Sequence, residues 1–502
     1  MAAGVVLPLI YLILRAVEAD FSESSDLIFR ERNFTLFLNT LALVVGVLIV
    51  TTLISMPLAW ITARTTIKGK KLLTLMGVLP LAIPGYVMAY ALLGISGTDG
   101  TLARIFGIEL PRLSGYWGSL TAISLYTFPY LYLNLRAGLA GLDPSYEEVA
   151  RSLGYRPIQV FFRVVLPQLR PAYYAGALII GLYVLGDFGA VSLMRFDTFS
   201  HAIYLQYSAS YDRLYAAWLA LMLLCMTGFA LILEYRLLRG LFFHRTGTGS
   251  GRFPGLYNLG KWRYLVWTFV SLTIFAAVIL PVLTVFYWMI DAGDYGIWSG
   301  IGSSLYDSFR ASAPAALLAA GFSVPLAYLG VRHPSKLTRG LERFAYLGYA
   351  TPPLALALAL IFFTLTSAPA LYQTLTLLIF AYTLHFMAEA LGPIRSSMYQ
   401  ISPRVEEAAR SLGYKRFPAF LKTTLPMLRG GITASIAFVF LSAMKELPIT
   451  FLLSPIGFEP LAVNVWSYSI EALYAQAAPY ALVILIFSSL FVGLLFAKEW
   501  KQ

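Results

Sequence analysis

EEVARSLGY at 147–155 and EEAARSLGY at 406–414 are the same nine-residue pattern, set 259 positions apart. The likeness reaches outward to 144–170 and 403–429, which align without a gap and agree at 14 of 27 positions. Beyond each glycine, after eleven intervening residues, comes a second matching signature, LPQLR at 166–170 and LPMLR at 425–429. Earlier in the chain PLAW at 57–60 pairs with PLAY at 325–328, but at a spacing of 268. The second copy is therefore about nine residues shorter, most simply in an outer loop. The chain is a fused duplication. Each copy of the pattern predicts a short helix. Asp143-Pro144 and Ser402-Pro403 supply a capping acceptor followed by proline at the first helical position. Gly154 and Gly413 are the residue type that ends a helix in a left-handed turn. Nine residues make only about 14 Å of helix. That cannot span a bilayer, and Glu147, Glu148 and Arg151 are too polar to face lipid. A connector has no need to repeat such a pattern in both halves, so it reads as a docking surface.

The rest of the chain says what carries these helices. It has 502 residues, 59% hydrophobic and 12% charged, with a mean hydropathy of +0.72. A soluble protein averages about 25% charged residues. So few charges cannot cover a water-soluble body of this length, and the single cysteine, Cys225, excludes a disulfide scaffold. The expected fold class is an all-α polytopic membrane protein. Uncharged apolar runs long enough to cross a membrane, together with Pro171–Met194, Gly430–Ser454 and the shorter Met1–Val17, give twelve expected helices in two six-helix halves. The expected division is 1–238 for the first half, 239–263 for a linker and 264–502 for the second half. The duplicated loops are 143–170 and 402–429. With both termini cytoplasmic, 28 of the 37 Lys and Arg residues fall on inner loops, which is the positive-inside arrangement. The net charge of +12 is thereby assigned to membrane topology and not to nucleic acid. Both duplicated loops then face the cytoplasm, as a parallel repeat about the membrane normal.

The spacing E-x-A, glycine six residues after the Glu, and a following L-P resembles the E-A-A motif of ABC-importer permeases. Glu148, Ala150, Gly154, Leu166 and Pro167 carry it in the first copy, and Glu407, Ala409, Gly413, Leu425 and Pro426 in the second. Val149 stands where that family usually has alanine. DFGAV at 187–191, FDTFSHAIY at 196–204 and KELPIT at 445–450 are similar to the fused ferric-iron permeases. Fused thiamine permeases share the architecture. The resemblance implies a type I importer permease in a bacterial inner membrane. It implies two cytoplasmic ATPase copies that bind ATP and magnesium, and a periplasmic ferric-iron-binding protein. It assigns Glu147, Glu148, Ala150, Arg151 and Gly154, with Glu406, Glu407, Ala409, Arg410 and Gly413, to ATPase coupling. This chain itself would hold no cofactor and catalyse no bond chemistry.

Two motifs compete and fail. Gly255 to Lys261 begins like a phosphate-binding loop, but Trp262 replaces the Ser or Thr that would hold magnesium. GISG at 94–97 has the short form found around intramembrane serine nucleophiles, for which His385 is the only base within a span. Four histidines and one cysteine cannot build a closed zinc site of the usual kind. Ionisable groups within spans are expensive and default to functional candidates. The 259-residue spacing pairs Asp187 with Glu446, Tyr130 with Glu389 and Tyr126 with His385. These six form the expected substrate pathway, with Asp187 and Glu446 as transient oxygen ligands for a hard cation. Lys445, opposite Gly186, breaks the symmetry and offers Glu446 a salt-bridge partner.

Overall fold

The computed structural model describes residues 2–17, 29–208, 212–238, 256–292 and 298–499. The expected linker lies outside the described residues as far as 255. Every regular element among the described residues is helical. The first half contains α1 (Ala2–Val17), α2 (Glu31–Arg64), α3 (Lys70–Val78), α4 (Gly85–Ile95), α5 (Gly115–Gly141), α6 (Pro144–Ser152), α7 (Arg170–Gly186), α8 (Gly189–Leu193) and α9 (Arg213–Leu238). The second contains α10 (Gly260–Asp291), α11 (Trp298–Arg332), α12 (Lys336–Ala350), α13 (Pro353–Ser367), α14 (Leu375–Gln400), α15 (Arg404–Ser411), α16 (Arg429–Met444), α17 (Pro448–Leu453) and α18 (Tyr474–Glu499). Six of these helices are long and apolar enough to cross a membrane, and four bent pairs raise the number to ten. The other two expected spans are helices at the expected places. α1 has only 16 residues, and α5 has 27 but turns Ser119, Ser124 and Thr127 into the protein interior. A helix shielded by its neighbours does not need to be apolar all round.

The bends follow from sequence. The 94° break between α3 and α4 falls before Pro84, and the 105° break between α12 and α13 falls before Pro352. Proline excludes the helical conformation from the residue preceding it. Ile83 (ψ 112°) and Thr351 (ψ 124°) are accordingly extended. These prolines are 268 positions apart, as the PLA signatures are. Expectation and structure differ at Pro171–Met194 and Gly430–Ser454. Neither is one helix: α7 stops at Gly186 and α16 at Met444, and short helices restart at Gly189 and Pro448. The carboxylates of Asp187 and Glu446 sit in these breaks and accept the first free N–H groups of the restarted helices, which stabilises the interruption.

Duplicated contacts hold each half together. Ser55 Oγ on α2 donates to the Phe128 carbonyl on α5 at 2.8 Å, and its counterpart Ser323 donates to Met387 at 3.3 Å. The halves also exchange their first helices. α1 packs on α13, where Tyr11 meets Phe363 edge to face at 5.4 Å. Reciprocally, Trp288 of α10 donates to the Gly94 carbonyl of α4 at 3.2 Å. A Cβ on Gly94 would lie 2.7 Å from that indole nitrogen, so only glycine admits the approach. Each half thus grips the other through its first helix.

Candidate functional site

The two EExARS helices are built alike and anchored differently. Asp143 Oδ1 accepts from Ser145 N at 3.0 Å, as expected for a cap before α6. In α15 the cap is one residue later than expected: Pro403 sits at the boundary and Ser402 Oγ accepts only a long 3.4 Å bond from Arg404 N. Both helices end as the glycines predict, with Gly154 at φ 85° and Gly413 at φ 93°. Tyr155 N and Tyr414 N reach back to the carbonyls of Ala150 and Ala409, the Schellman pattern.

The inner face of α6 carries Ala150 and Glu147, both buried. Glu147 pairs with Arg64, the last residue of α2, at 3.0 Å, and Arg64 is only 1% exposed. Arg151 adds a longer 3.5 Å contact from the same helix. In α15 the equivalent Glu406 has no ion pair among the described residues. It accepts from Tyr328 at 2.8 Å and from the Thr424 hydroxyl. The duplication explains the exchange. Tyr328 corresponds to Trp60 and Thr424 to Val165, neither of which can donate to Glu147 from those places.

Tyr257, just past the undescribed part of the linker, supplies what Trp60 cannot. Its ring packs on Trp60 at 5.5 Å, its N–H donates to the Arg64 carbonyl at 2.8 Å, and its carbonyl accepts from Thr66 N at 3.0 Å. Its hydroxyl donates to Glu147 at 3.4 Å and bonds the Arg151 guanidinium. Burial, followed by the neighbouring carboxylate, raises the phenol above its ordinary value and keeps it a donor. No sequence signal points to this contact, because Tyr257 lies in a segment without periodicity. Outward from both helices point Glu148, Glu407, Arg151 and Arg410, with bare leucines beside them: Leu153 is 72% and Leu412 80% exposed. Of the expected coupling residues, then, Glu147, Ala150 and Ala409 face the protein, and Glu406 is half-buried and bonded within it. Glu148 and Glu407 are free to meet a partner.

All six expected pathway residues except Glu389 line one cavity of about 180 Å³ where the halves meet. Pseudo-equivalent positions line it together, including Tyr183 with Ser442 and Gly186 with Lys445. Asp187 Oδ2 accepts from Tyr126 at 3.0 Å while Oδ1 takes two main-chain N–H groups. Glu446 takes two main-chain N–H groups and the Thr450 hydroxyl. Lys445 turns away from its neighbour and donates to the Leu81 carbonyl at 3.0 Å, so the Lys445–Glu446 salt bridge is not formed. Glu389 lies just behind the wall, where Ser442 donates to its Oε1 at 2.9 Å. His385 bonds the Gly348 carbonyl and stacks on Tyr349 at 5.8 Å between ring centres. Ser96 is engaged by the main chain at Leu92 and Leu113, so it does not form a nucleophile–base pair with His385. Among the described residues no three His, Cys, Asp or Glu side chains converge on a metal position.

Comparison with known proteins agrees with this architecture. The family described as "Binding-protein-dependent transport system inner membrane component" matches twice, at residues 55–241 and 312–498. A ferric-iron transport system permease protein of Haemophilus influenzae is 34% identical over 503 residues, covering 99% of this chain and 96% of that protein. A molybdenum transport system permease protein of Escherichia coli is 34% identical over 26% of this chain and 58% of its own length. A sulfate transport system permease protein of Salmonella typhimurium is 28% identical over 37% of this chain and 68% of its own length. With two matched repeats, exchanged first helices and a cavity lined by both repeats, the chain belongs to the inner-membrane permease family of binding-protein-dependent ABC transport systems.

Proposed function

We propose that this chain is the complete membrane pathway of an ATP-driven importer for ferric iron. The observation that carries the cargo is the span of the likeness: the ferric-iron permease matches end to end, whereas the molybdenum and sulfate permeases match a third of the chain or so. The cavity chemistry supports it, since its polar lining includes phenol and carboxylate oxygens, which suit a hard cation. Both termini lie in the cytoplasm, following the distribution of Lys and Arg. A periplasmic binding protein delivers the cargo at the outer mouth.

Two copies of a separate ATPase dock on α6 and α15, one on each. Leu153 with Glu148 and Leu412 with Glu407 offer each copy the same apolar knob beside an acid, and the residues beneath them transmit force to α2 and α11. ATPase closure drives both helices together and rocks the halves about the cavity, which opens alternately to either side. No bond of the cargo is made or broken. In membrane vesicles containing the binding protein and ATPase, radioactive iron should accumulate only with ATP, and excess thiamine, sulfate or molybdate should not compete. Competition by thiamine with no effect of ferric iron would overturn the cargo assignment.

A further inference from the structure

The residues first expected to meet the cation are the least free to do so. Glu446 is buried and its two carboxylate oxygens accept three hydrogen bonds from the start of α17. Asp187 spends both oxygens on α8 and on Tyr126. Pulling either carboxylate onto an ion would leave buried main-chain N–H groups of a restarted helix without partners, which carries a desolvation penalty for each. These two acids build the cavity's shape.

Other polar groups in and beside the cavity lining are less committed. Tyr130 and Tyr183 stack at 4.8 Å with their planes 24° apart. Tyr183 stands close enough to interact electrostatically with both Tyr130 and Tyr349. Glu389 stands close enough to interact electrostatically with all three phenols. Its Oε1 accepts from Ser442, and its Oε2 has no hydrogen bond among the described residues. Tyr130, Tyr183, Tyr349 and Glu389 are all part-exposed, unlike Glu446 and His385. They come from four helices, α5, α7, α12 and α14, two from each half. A ligand held by all four would therefore touch both halves. Lys445, the only Lys or Arg among the described residues that line the cavity, is also part-exposed and interacts with Glu389.

We propose that Tyr130, Tyr183, Tyr349 and Glu389 form a transient oxygen-donor station for a hard trivalent cation, with Lys445 as a tethered ammonium that balances Glu389 while the station is empty. The assignment rests on the ferric-iron reading of the pathway. On arrival the cation exchanges water or carrier ligands for phenolate and carboxylate oxygens. Each phenol that ligates gives its proton to water, and no electron is transferred. Lys445 then stands beside a bound trivalent charge and repels it. This weakens the station, as transport requires, since the ion must leave as readily as it enters.

The test uses the purified full-length chain in lipid nanodiscs, titrated with ferric nitrilotriacetate. Ferric phenolates absorb visible light by ligand-to-metal charge transfer, a signature that carboxylate-only binding lacks. The wild-type chain should develop this band, and the Tyr130→Phe/Tyr183→Phe/Tyr349→Phe triple variant should lose it. Glu389→Gln should weaken ferric binding by about ten-fold or more, the order expected when a metal site loses a supporting group. Lys445→Met should tighten binding and slow ATP-driven iron uptake in proteoliposomes. No band in the wild-type chain, or an equal band in the triple variant, overturns the station. Because phenylalanine keeps the ring packing, the triple variant should elute as a single folded species. If it does not, the Tyr349→Phe single variant must reduce the band, and an unchanged band overturns the proposal. A titration unaltered by Lys445→Met rejects the balancing role. Failure of the wild-type complex to import iron at all would refute the ferric reading itself. Iron import at full rate by the triple variant would refute only the station.

Discussion

Glu147→Ala and Glu406→Ala remove equivalent carboxylates from the two repeat helices, yet they should differ in cost because the partners differ. Removing Glu147 leaves the guanidinium of Arg64, 1% exposed, without its carboxylate. Breaking a buried ion pair from one side costs about 3–5 kcal/mol. Removing Glu406 leaves only two neutral hydroxyls, those of Tyr328 and Thr424. Tyr328 is part-exposed and can turn to water, so the loss is about 1–3 kcal/mol. The difference of about 2 kcal/mol corresponds to roughly thirty-fold in the population of the detached helix. Hydrogen exchange followed by mass spectrometry, on the chain in lipid nanodiscs, reads this directly. In Glu147→Ala the amides of 148–153 should exchange faster than wild type by at least about ten-fold, while those of 407–412 are unchanged. Glu406→Ala should produce the mirror pattern with a smaller increase. Replacing both members, Arg64→Met/Glu147→Met, should restore most of the protection, because an apolar pair leaves no buried charge. Equal acceleration in the two single variants, or none in Glu147→Ala, would refute the argument.

Other outcomes follow from the same geometry. Tyr257→Phe should loosen α6 by about 1–3 kcal/mol without touching α15, since it deletes the hydroxyl's bonds to the Glu147 carboxylate and the Arg151 guanidinium and keeps the ring on Trp60; exchange at the two helices checks this. Gly154→Ala and Gly413→Ala should each cost about 1 kcal/mol, because both glycines hold positive φ with open space where a Cβ would sit. Thermal unfolding in detergent should show the two variants alike. Leu153→Asp/Leu412→Asp should abolish ATPase binding while leaving the permease folded, whereas the wild-type complex should contain two ATPases by mass. Splitting the chain near residue 249 and co-expressing the pieces should preserve transport, as the second piece still carries Tyr257 to the first.

The duplication, the capped short helices and the crossing segments were legible because each depends on local rules. Proline at the first turn, glycine at the last and long uncharged runs act within a few residues. The breaks at Gly186 and Met444 were not legible, because an apolar run looks the same whether it is one helix or two. Only the carboxylates of Asp187 and Glu446, folded back onto the next helix, decide it. The inward turn of Glu147 was hidden for a similar reason. EE reads as one acidic patch, and the partners that pull the first acid inside, Arg64 and Tyr257, are about a hundred residues away on either side. The pathway pairs emerged from the repeat spacing, but Tyr183 and Tyr349 did not. Tyr183 pairs with a serine, and Tyr349 belongs to the segment governed by the other spacing, opposite Leu81.

On the proposed reading one chain, worked by two ATPases at its duplicated helices, carries ferric iron through the cavity between its halves. The most direct measurement is iron accumulation in proteoliposomes containing the purified chain, its ATPase and its iron-loaded binding protein, with sulfate, molybdate and thiamine as parallel cargoes. ATP-dependent accumulation of iron alone, abolished by Leu153→Asp/Leu412→Asp, is the predicted result. Accumulation of another cargo with no iron, or iron entry that persists without ATP in that double variant, would contradict it.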